Sequence, residues 1–146
     1  MPRIIVGIDG SGHSRRALEW AMNEAAIRHA PLTVLTVHPA IKGYFGGVAT
    51  YPGDLDETGK AREAAQAETG KVLAGLDGPQ PESVTVTAVH GFVAEEIINA
   101  ASDADMLVLG SRGGGGFARL IMGSISSQVV QHAPCPVTIV RHEDHG

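Results

Sequence analysis

The sequence predicts an α/β fold in which helices cover both faces of an open, parallel, doubly wound sheet of five strands. Two observations lead to this prediction. Along the 146 residues, short runs of apolar and β-branched residues alternate with segments whose apolar residues recur at helical spacing. The short runs are also continuously apolar, which is typical of strands buried on both faces. Strands joined through helices run parallel with right-handed crossovers, so the helices divide between the two faces.

The composition is that of one globular domain spanning residues 1–146, with 43% hydrophobic and 18% charged residues. The formal net charge of -5 argues against a nucleic-acid partner, whose phosphates need a basic face. Cys135 has no second cysteine to pair with, the opening residues lack the features of a secretory signal, and no apolar run is long enough to cross a membrane. We therefore expect a cytoplasmic protein with a loose polar tail over residues 141–146.

The first strand is predicted over Ile4–Ile8 and runs into the turn Asp9–Gly12. The helix that follows is expected to be capped by Ser11 or Ser14 and to be stopped by Pro31. Its apolar pairs recur every four residues and predict one buried stripe made of Ala17/Leu18, Ala21/Met22 and Ala25/Ala26.

The middle of the chain combines two strands and a helix with a segment that has no periodicity. Leu32–Val37 and Val84–Val89 are β-branched and predict the second and third strands. A helix is expected over Lys60–Leu76, weakened by Gly70. Its inward residues are predicted to be Ala61, Ala64, Ala65, Val72 and Leu73. The segment from His38 to Lys60 predicts a long loop, either a functional lid or an ordinary surface loop.

The last third of the chain repeats the alternation. Helical spacing over Val93–Ala101 precedes a strand at Met106–Gly110. A glycine-rich segment, Gly110–Gly123, leads to a short helix that opens at Ser124 and runs through Val130. The final strand is predicted over Val137–Val140.

Two loops at the carboxyl ends of strands stand out in composition, Asp9–Gly12 after the first strand and Gly110–Gly116 after the fourth. In doubly wound sheets, ligands bind beyond the carboxyl ends of the strands at the point where the strand order reverses. If the first and fourth strands are neighbours there, both loops face one crevice.

The glycine-rich segment has the chemistry of a phosphate site. Gly110, Gly113 and Gly123 can adopt positive φ and turn their N–H groups toward an anion. Ser124 adds a hydroxyl, and the helix that it opens adds a dipole and the N–H groups of Ser124 and Ile125. A flexible glycine loop is the alternative interpretation. Neither GxxxxGK[ST] nor a GxGxxG after the first strand is present, so P-loop and dinucleotide sites are not predicted.

The pattern G-x2-G-x9-G-S at Gly110, Gly113, Gly123 and Ser124 resembles the ATP-binding signature of the universal stress proteins. The resemblance extends over IIVGIDGS, LTVLTVH, ADMLVLGSRG, LIMGSISSQVV and HAPCPVTIVR, and leaves only the segment from about His38 to Lys60 without a family pattern.

The resemblance implies a role for each matching position. Asp9 corresponds to the residue that hydrogen-bonds the ribose, although an aspartate here also suits a turn or cap. Val37 corresponds to the residue whose backbone meets the edge of the adenine, and Gly7 corresponds to a residue that lines the same side of the adenine site. For both residues, the alternative is that they are simply part of the core of the sheet. The ribose and phosphate positions are Gly110, Gly113, Gly123, Ser124 and Ile125, while Arg112 and Arg119 would screen phosphate charge unless they are simply solvated.

The resemblance also implies a Rossmann-like sheet of strand order 3-2-1-4-5, ATP as the ligand, alone or with Mg²⁺, and a homodimer formed through Val137–Val140. The predicted function is that of a regulatory, stress-response nucleotide sensor. Slow ATP hydrolysis or phosphotransfer is one alternative, and a dimeric interaction module that binds AMP or cyclic AMP is another.

No catalytic residue and no metal site are predicted. A hydrolase needs a positioned base, and His13 after the first strand has no known catalytic spacing to Asp9. The other histidines show no metal-ligand spacing with a cysteine. Cys135 is expected to be a small buried residue rather than a nucleophile.

Overall fold

The computed structural model of the chain describes residues 3–42, 48–49, 51–111 and 123–141. The strands in these ranges are β1 (Ile4–Ile8), β2 (Pro31–Pro39), β3 (Ile41–Lys42), β4 (Val48–Ala49), β5 (Ser83–Gly91), β6 (Met106–Gly110) and β7 (Val137–Val140). The helices are α1 (Gly12–Arg28), α2 (Asp54–Ala74), α3 (Val93–Ala100) and α4 (Ser124–His132), with a 3₁₀ turn at Ala101–Asp103 after α3. The predicted tail lies outside the described residues except for Arg141.

Five strands form one parallel sheet in the order β5-β2-β1-β6-β7, and β3 pairs with β4 as a separate antiparallel hairpin. Counted along the chain within the large sheet, this order is 3-2-1-4-5, so the predicted topology is confirmed. β1 pairs with β2 on one side and with β6 on the other. The winding direction reverses between β1 and β6, which places a crevice at their carboxyl ends.

Two apolar cores, one on each face, hold the helices to the sheet. On one face, α1 and α2 pack on alternate strand residues such as Val6, Val34 and Val108. On the other face, α3 and α4 pack on their neighbours, including Ile5 and Leu107. Because the two cores together bury both faces of the central strands, the predicted doubly wound arrangement is confirmed. No helix within the described ranges is long and apolar enough to span a bilayer.

The first helix forms as its sequence predicts. All six residues of the alanine-rich stripe are at most 4% exposed. Ser11 is the N-cap, since its hydroxyl accepts the backbone N–H of Ser14 at 3.2 Å. The helix ends at Arg28 because His29 takes a left-handed conformation with φ 53°. Pro31 therefore starts β2 rather than stopping the helix directly.

The segment between β2 and the second helix is the main correction to the prediction. β2 continues to Pro39, and α2 begins at Asp54 rather than at Lys60. Acidic side chains in the first turn of α2 favour its N-terminus through the helix dipole, but Leu55 is 89% exposed, so no apolar periodicity marks this start. The predicted inward face was also partly wrong. Ala64 is exposed, and the buried residues of α2 are Ala65, Thr69 and Val72.

Two leucines test how much the β1–β6 core contributes to stability. Leu107 on β6 is fully buried, whereas Leu55 on α2 is 89% exposed. We expect Leu107→Ala to lower the free energy of unfolding by about 2–5 kcal/mol, because it leaves a cavity, and Leu55→Ala to change it by less than about 0.5 kcal/mol. Urea unfolding followed by circular dichroism measures both. Equal effects of the two substitutions would contradict the placement of the core.

Candidate functional site

A cavity of about 230 Å³ lies at the carboxyl ends of β1, β2 and β6. Apolar side chains make most of its wall: Leu35, Val37, Pro39, Val93, Ile97, Leu109 and Ile125. Polar groups gather where β1 and β6 end, contributed by Asp9, Ser14, Ser126 and the glycines Gly7 and Gly110. The cavity therefore has an apolar floor and a polar end, the usual form of a small-molecule site.

The structure brings most of the predicted site residues to this cavity. Those that line it are Gly7, Asp9, Val37, Gly110 and Ile125. Gly123 and Ser124 stand next to it at the start of α4. Arg112 and Gly113, with Arg119, lie outside the described residues.

Gly110 is required by close packing rather than by an unusual backbone angle. A Cβ at this position would lie 2.7 Å from the carbonyl oxygen of His13 in α1, a contact that backbone atoms cannot relieve cheaply. Its φ is not in the positive range, so the predicted anion nest at Gly110 was wrong in its physical basis. The Gly110 carbonyl instead accepts the Ser126 hydroxyl at 2.8 Å, which ties α4 to the end of β6.

Gly7 on β1 is a milder case, because the neighbouring atom belongs to the end of a side chain rather than to backbone. A Cβ there would lie 2.9 Å from Cδ2 of Leu109. Both glycines line the cavity, and the absence of a side chain lets neighbouring elements pack closely against β1 and β6.

Asp9 is held at the rim by a compact turn. Its Oδ1 accepts the backbone N–H of Ser11 at 2.9 Å, and its own N–H donates to the Ser14 hydroxyl at 3.2 Å. That hydroxyl donates in turn to the Ser11 carbonyl at 3.1 Å. The turn role that was the alternative for Asp9 is therefore present, and it fixes an exposed carboxylate beside the cavity.

The start of α4 differs from the prediction at one residue. Gly123 has φ -63° and ψ 160°, and its N–H donates to the Ser111 carbonyl at 2.8 Å, so it does not turn toward a ligand. The first bond within the helix runs from the Ser127 N–H to the Gly123 carbonyl at 2.9 Å. The N–H groups of residues 124–126 precede that bond and have no partner inside the helix, which makes them the natural anion donors of this terminus.

Asp9 is the single charged side chain among the described residues of the cavity wall. A carboxylate repels phosphate and accepts from hydroxyl groups. The Asp9 end of the cavity therefore suits a sugar, while the start of α4 suits a phosphate.

A second cluster of polar residues, which the sequence analysis missed, joins β2, β5 and α2. Nε2 of His38 lies 3.3 Å from Oδ1 of Asp54, and Nε2 of His90 lies 3.5 Å from Oδ2 of the same carboxylate. The backbone N–H of Tyr51 lowers the pKa of Asp54, as do the two imidazoles, against the opposing effect of burial.

The criterion of histidine–cysteine spacing could not reveal this cluster, because strand register assembles it. His38 and His90 are direct partners in the ladder of β2 and β5. A signal was nevertheless present in the sequence. The two strands carry the similar heptapeptides LTVLTVH and VTVTAVH, which both end in histidine.

The packing of Gly110 gives a stability prediction. Gly110→Ala should cost about 1–3 kcal/mol, because the new methyl group meets the α1 backbone. Gly12→Ala is the matched control, since nothing lies within 4 Å of a Cβ at that exposed helix start. Urea denaturation of both variants tests this, and a Gly110→Ala protein as stable as Gly12→Ala would contradict the close contact.

Cys135 should react slowly with thiol reagents. Burial raises the pKa of its thiol, and the nearby Asp105 carboxylate raises it further. A higher pKa leaves a smaller fraction of thiolate at a given pH, and the thiolate is the reactive form. Iodoacetamide at pH 7.5 should therefore alkylate the folded protein much more slowly than the guanidinium-unfolded chain. Equal rates in the two states would show that the pKa is not raised.

Comparison with known proteins gives a consistent result. The model of the universal stress protein family matches residues 1–141. A curated universal stress protein of Mycobacterium tuberculosis is 33% identical over 150 residues, which cover 97% of this chain and 48% of the relative. One from Mycolicibacterium smegmatis is 33% identical over 145 residues, with the same coverages. The chain thus spans about half the length of the curated relatives that it matches.

Solved structures share the fold. Universal stress protein UspA from Lactobacillus plantarum is 26% identical with a TM-score of 0.71, covering 96% of this chain and 97% of its own. The Archaeoglobus fulgidus protein, solved in complex with dAMP, is 25% identical with a TM-score of 0.61 over 97% of this chain and 98% of its own. With the family model matching nearly every residue, the chain belongs to the universal stress protein family.

Proposed function

We propose that this protein holds ATP in the cavity at the carboxyl ends of β1, β2 and β6, and acts in the cytoplasm as a regulatory, stress-response nucleotide sensor. The observation that carries the proposal is the combination in one cavity of an apolar floor, a carboxylate at the rim and the N-terminus of α4. These three features suit a base, a sugar and a phosphate chain, respectively.

The base fits the apolar part of the cavity. β1 pairs with β2 only as far as Ile8 and Thr36, whereas β2 continues to Pro39. Beyond Thr36, none of the described strands pairs with that edge of β2 on the β1 side. The backbone at Val37 is thus in position to hydrogen-bond the edge of an adenine, while the side chains of Leu35 and Ile97 cover its face.

The sugar fits beside Asp9. The turn that holds this carboxylate directs it to the rim, and a carboxylate accepts hydrogen bonds from two vicinal hydroxyls. The volume of the cavity also supports a nucleoside inside it and phosphates outside it. At about 230 Å³ the cavity is below the range of roughly 300–1,000 Å³ of most ligand sites, so it suits a nucleoside whose phosphates lie outside it.

The phosphates would then lie toward α4. The N–H groups of Ser124 and Ile125 and the helix dipole favour negative charge there. No lysine or arginine is among the described residues of the wall, so Arg112, the backbone at Gly113 or Mg²⁺ would supply the remaining donors and charge. The dAMP complex of the Archaeoglobus fulgidus relative supports an adenine ligand. AMP and cyclic AMP remain the alternatives to ATP.

Holding ATP fits the site better than rapid hydrolysis. Phosphoryl transfer to water needs a base within hydrogen-bond reach of the nucleophile. The described part of the wall contains no histidine, and its one carboxylate, Asp9, already anchors a turn at the sugar end. Bound nucleotide would instead stabilise the conformation in which the ends of β1 and β6 and the start of α4 are packed together. A partner that recognises this conformation would then respond to the presence of the nucleotide.

Calorimetric titration with ATP, AMP and cyclic AMP tests the proposal. We expect Asp9→Asn to weaken ATP binding about tenfold, since the amide can keep the turn but loses the charge-assisted bond to the sugar. The same substitution should change the binding of 2′,3′-dideoxy-ATP little, because this analogue lacks both hydroxyls that Asp9 would bind. Asp77→Asn is the matched control, because this exposed aspartate lies away from the cavity. Equal weakening by both substitutions would contradict the assigned role of Asp9.

A second experiment tests whether the protein holds ATP or hydrolyses it. Purified protein is denatured to identify any nucleotide that it carries, and added ATP is then followed for ADP formation over hours. We expect bound ATP that turns over very slowly. Rapid, saturable ADP formation would favour the hydrolase alternative, and protein with no measurable affinity for any adenine nucleotide would overturn the proposal.

We also propose a homodimer formed through β7. This strand is at one edge of the sheet, and its residues Val137, Ile139 and Val140 are apolar and only half-buried. A second copy would cover an edge that invites aggregation when left bare. Sedimentation equilibrium should give twice the mass of one chain at micromolar concentration. A monomer at all concentrations would refute the dimer without affecting the nucleotide proposal.

A further inference from the structure

We propose that His38, Asp54 and His90 form a binding site for a divalent transition-metal ion of the Zn²⁺ type. Two imidazole nitrogens and one carboxylate oxygen would be its protein ligands, with a further position open to water or another small ligand. This site is separate from the nucleotide cavity and from any Mg²⁺ that accompanies phosphates, because Mg²⁺ prefers oxygen ligands.

The fold brings the three residues together from distant parts of the sequence. His38 and His90 face each other in the parallel ladder of β2 and β5, two residues beyond the last residue of β2 that pairs with β1. Asp54 is the first residue of α2, which packs over these two strands. The Thr58 hydroxyl donates to the Asp54 carbonyl at 2.8 Å, and the Tyr51 N–H donates to its carboxylate. Both strands and the helix thus hold the ligands on rigid elements.

The distances match a metal site. The three candidate ligand atoms all lie within 4.8 Å of one another, and the two nitrogen–oxygen separations are 3.3 and 3.5 Å. Zinc bonds of about 2.0–2.2 Å in a tetrahedron place neighbouring ligand atoms roughly 3.4 Å apart. The ligands therefore need only small movements to close on an ion.

The orientation of His90 supports the same conclusion. Its Nδ1 lies 3.2 Å from the backbone carbonyl of His38, and a carbonyl only accepts, so Nδ1 carries the proton. In the neutral ring, Nε2 then presents a lone pair toward Oδ2 of Asp54. A lone pair and a carboxylate oxygen that face each other at 3.5 Å call for a cation between them, which is either a proton on Nε2 or a metal ion. An imidazole fixed by a backbone carbonyl in this way is the usual arrangement of a metal-ligating histidine.

One metal ion can satisfy this cluster without placing a charge on both rings. The rings of His38 and His90 are stacked with centroids 5.1 Å apart, so charging both as imidazolium ions would set two positive charges face to face. One divalent ion neutralises the carboxylate and uses both lone pairs. The three side chains are 16–24% exposed, which leaves a path for the ion and an outward-facing coordination position.

The site lies on the opposite face of β2 from the nucleotide cavity. Val37 and Pro39 line that cavity, and the intervening His38 alternates to the face covered by α2. A loss of metal binding therefore need not affect the nucleotide, and the two can be tested independently.

The test is a calorimetric titration with Zn²⁺ in the presence of a competing chelator at pH 7.5. Because His142 and His145 at the end of the printed sequence can also bind zinc, both are first replaced with alanine. We expect this parent protein to bind one equivalent of Zn²⁺, and His38→Ala and His90→Ala to weaken binding at least tenfold. His132→Ala is the matched control, since His132 is exposed on α4 away from the cluster, and it should bind as the parent does.

Co²⁺ gives a second readout that does not depend on how the variants fold. The parent protein should develop the visible absorption bands of low-symmetry, nitrogen- and oxygen-ligated Co²⁺, and Zn²⁺ should displace it with one-to-one stoichiometry. A parent protein that binds no stoichiometric Zn²⁺ or Co²⁺ would overturn the proposal. Zinc affinity unchanged by either histidine substitution would overturn it as well.

Discussion

The double pairing of β1 is the constraint on which the rest of the structure depends. β1 bonds to β2 on one side and to β6 on the other, and all five of its residues are buried. Its apolar side chains therefore anchor both cores, with α1 and α2 on one face and α3 and α4 on the other. Because the winding reverses at β1, its carboxyl end is also where covering helices diverge and a cavity forms. Gly7 and Gly110 keep that point tightly packed.

Sequence reasoning predicted the parts of the fold that local patterns specify. The strand Met106–Gly110 and the alanine-rich stripe of α1 are as expected, since burial imposes an unmistakable pattern on each. The predictions were wrong where tertiary contacts, rather than the local sequence pattern, determine the structure. The first turn of α2 is acidic and exposed, so nothing in its sequence separates it from a loop. The need for glycine at residue 110 was foreseen, but its cause is a neighbouring helix backbone that no local pattern reveals.

The candidate site shows the same division. Residues that belong to the strand ends, such as Asp9 and Val37, lie at the cavity, because the carboxyl ends of neighbouring parallel strands meet at one edge of the sheet. The cluster of His38, Asp54 and His90 escaped notice because it depends on the register between two strands whose ends are 52 residues apart along the chain. Comparing the two heptapeptides that end in histidine would have suggested it. Strand register is thus a source of functional sites that residue spacing alone does not detect.

The two proposed sites use opposite faces of one strand end, with Val37 directed to the cavity and His38 to α2. The central claim is that ATP occupies the cavity. Hydrogen exchange with and without saturating ATP tests it most directly, because protection is read peptide by peptide in the unmodified protein. We expect slower exchange in the peptides that contain Asp9, Val37 and the start of α4, and little change in β5. Binding with protection elsewhere, or with none at these three places, would contradict it.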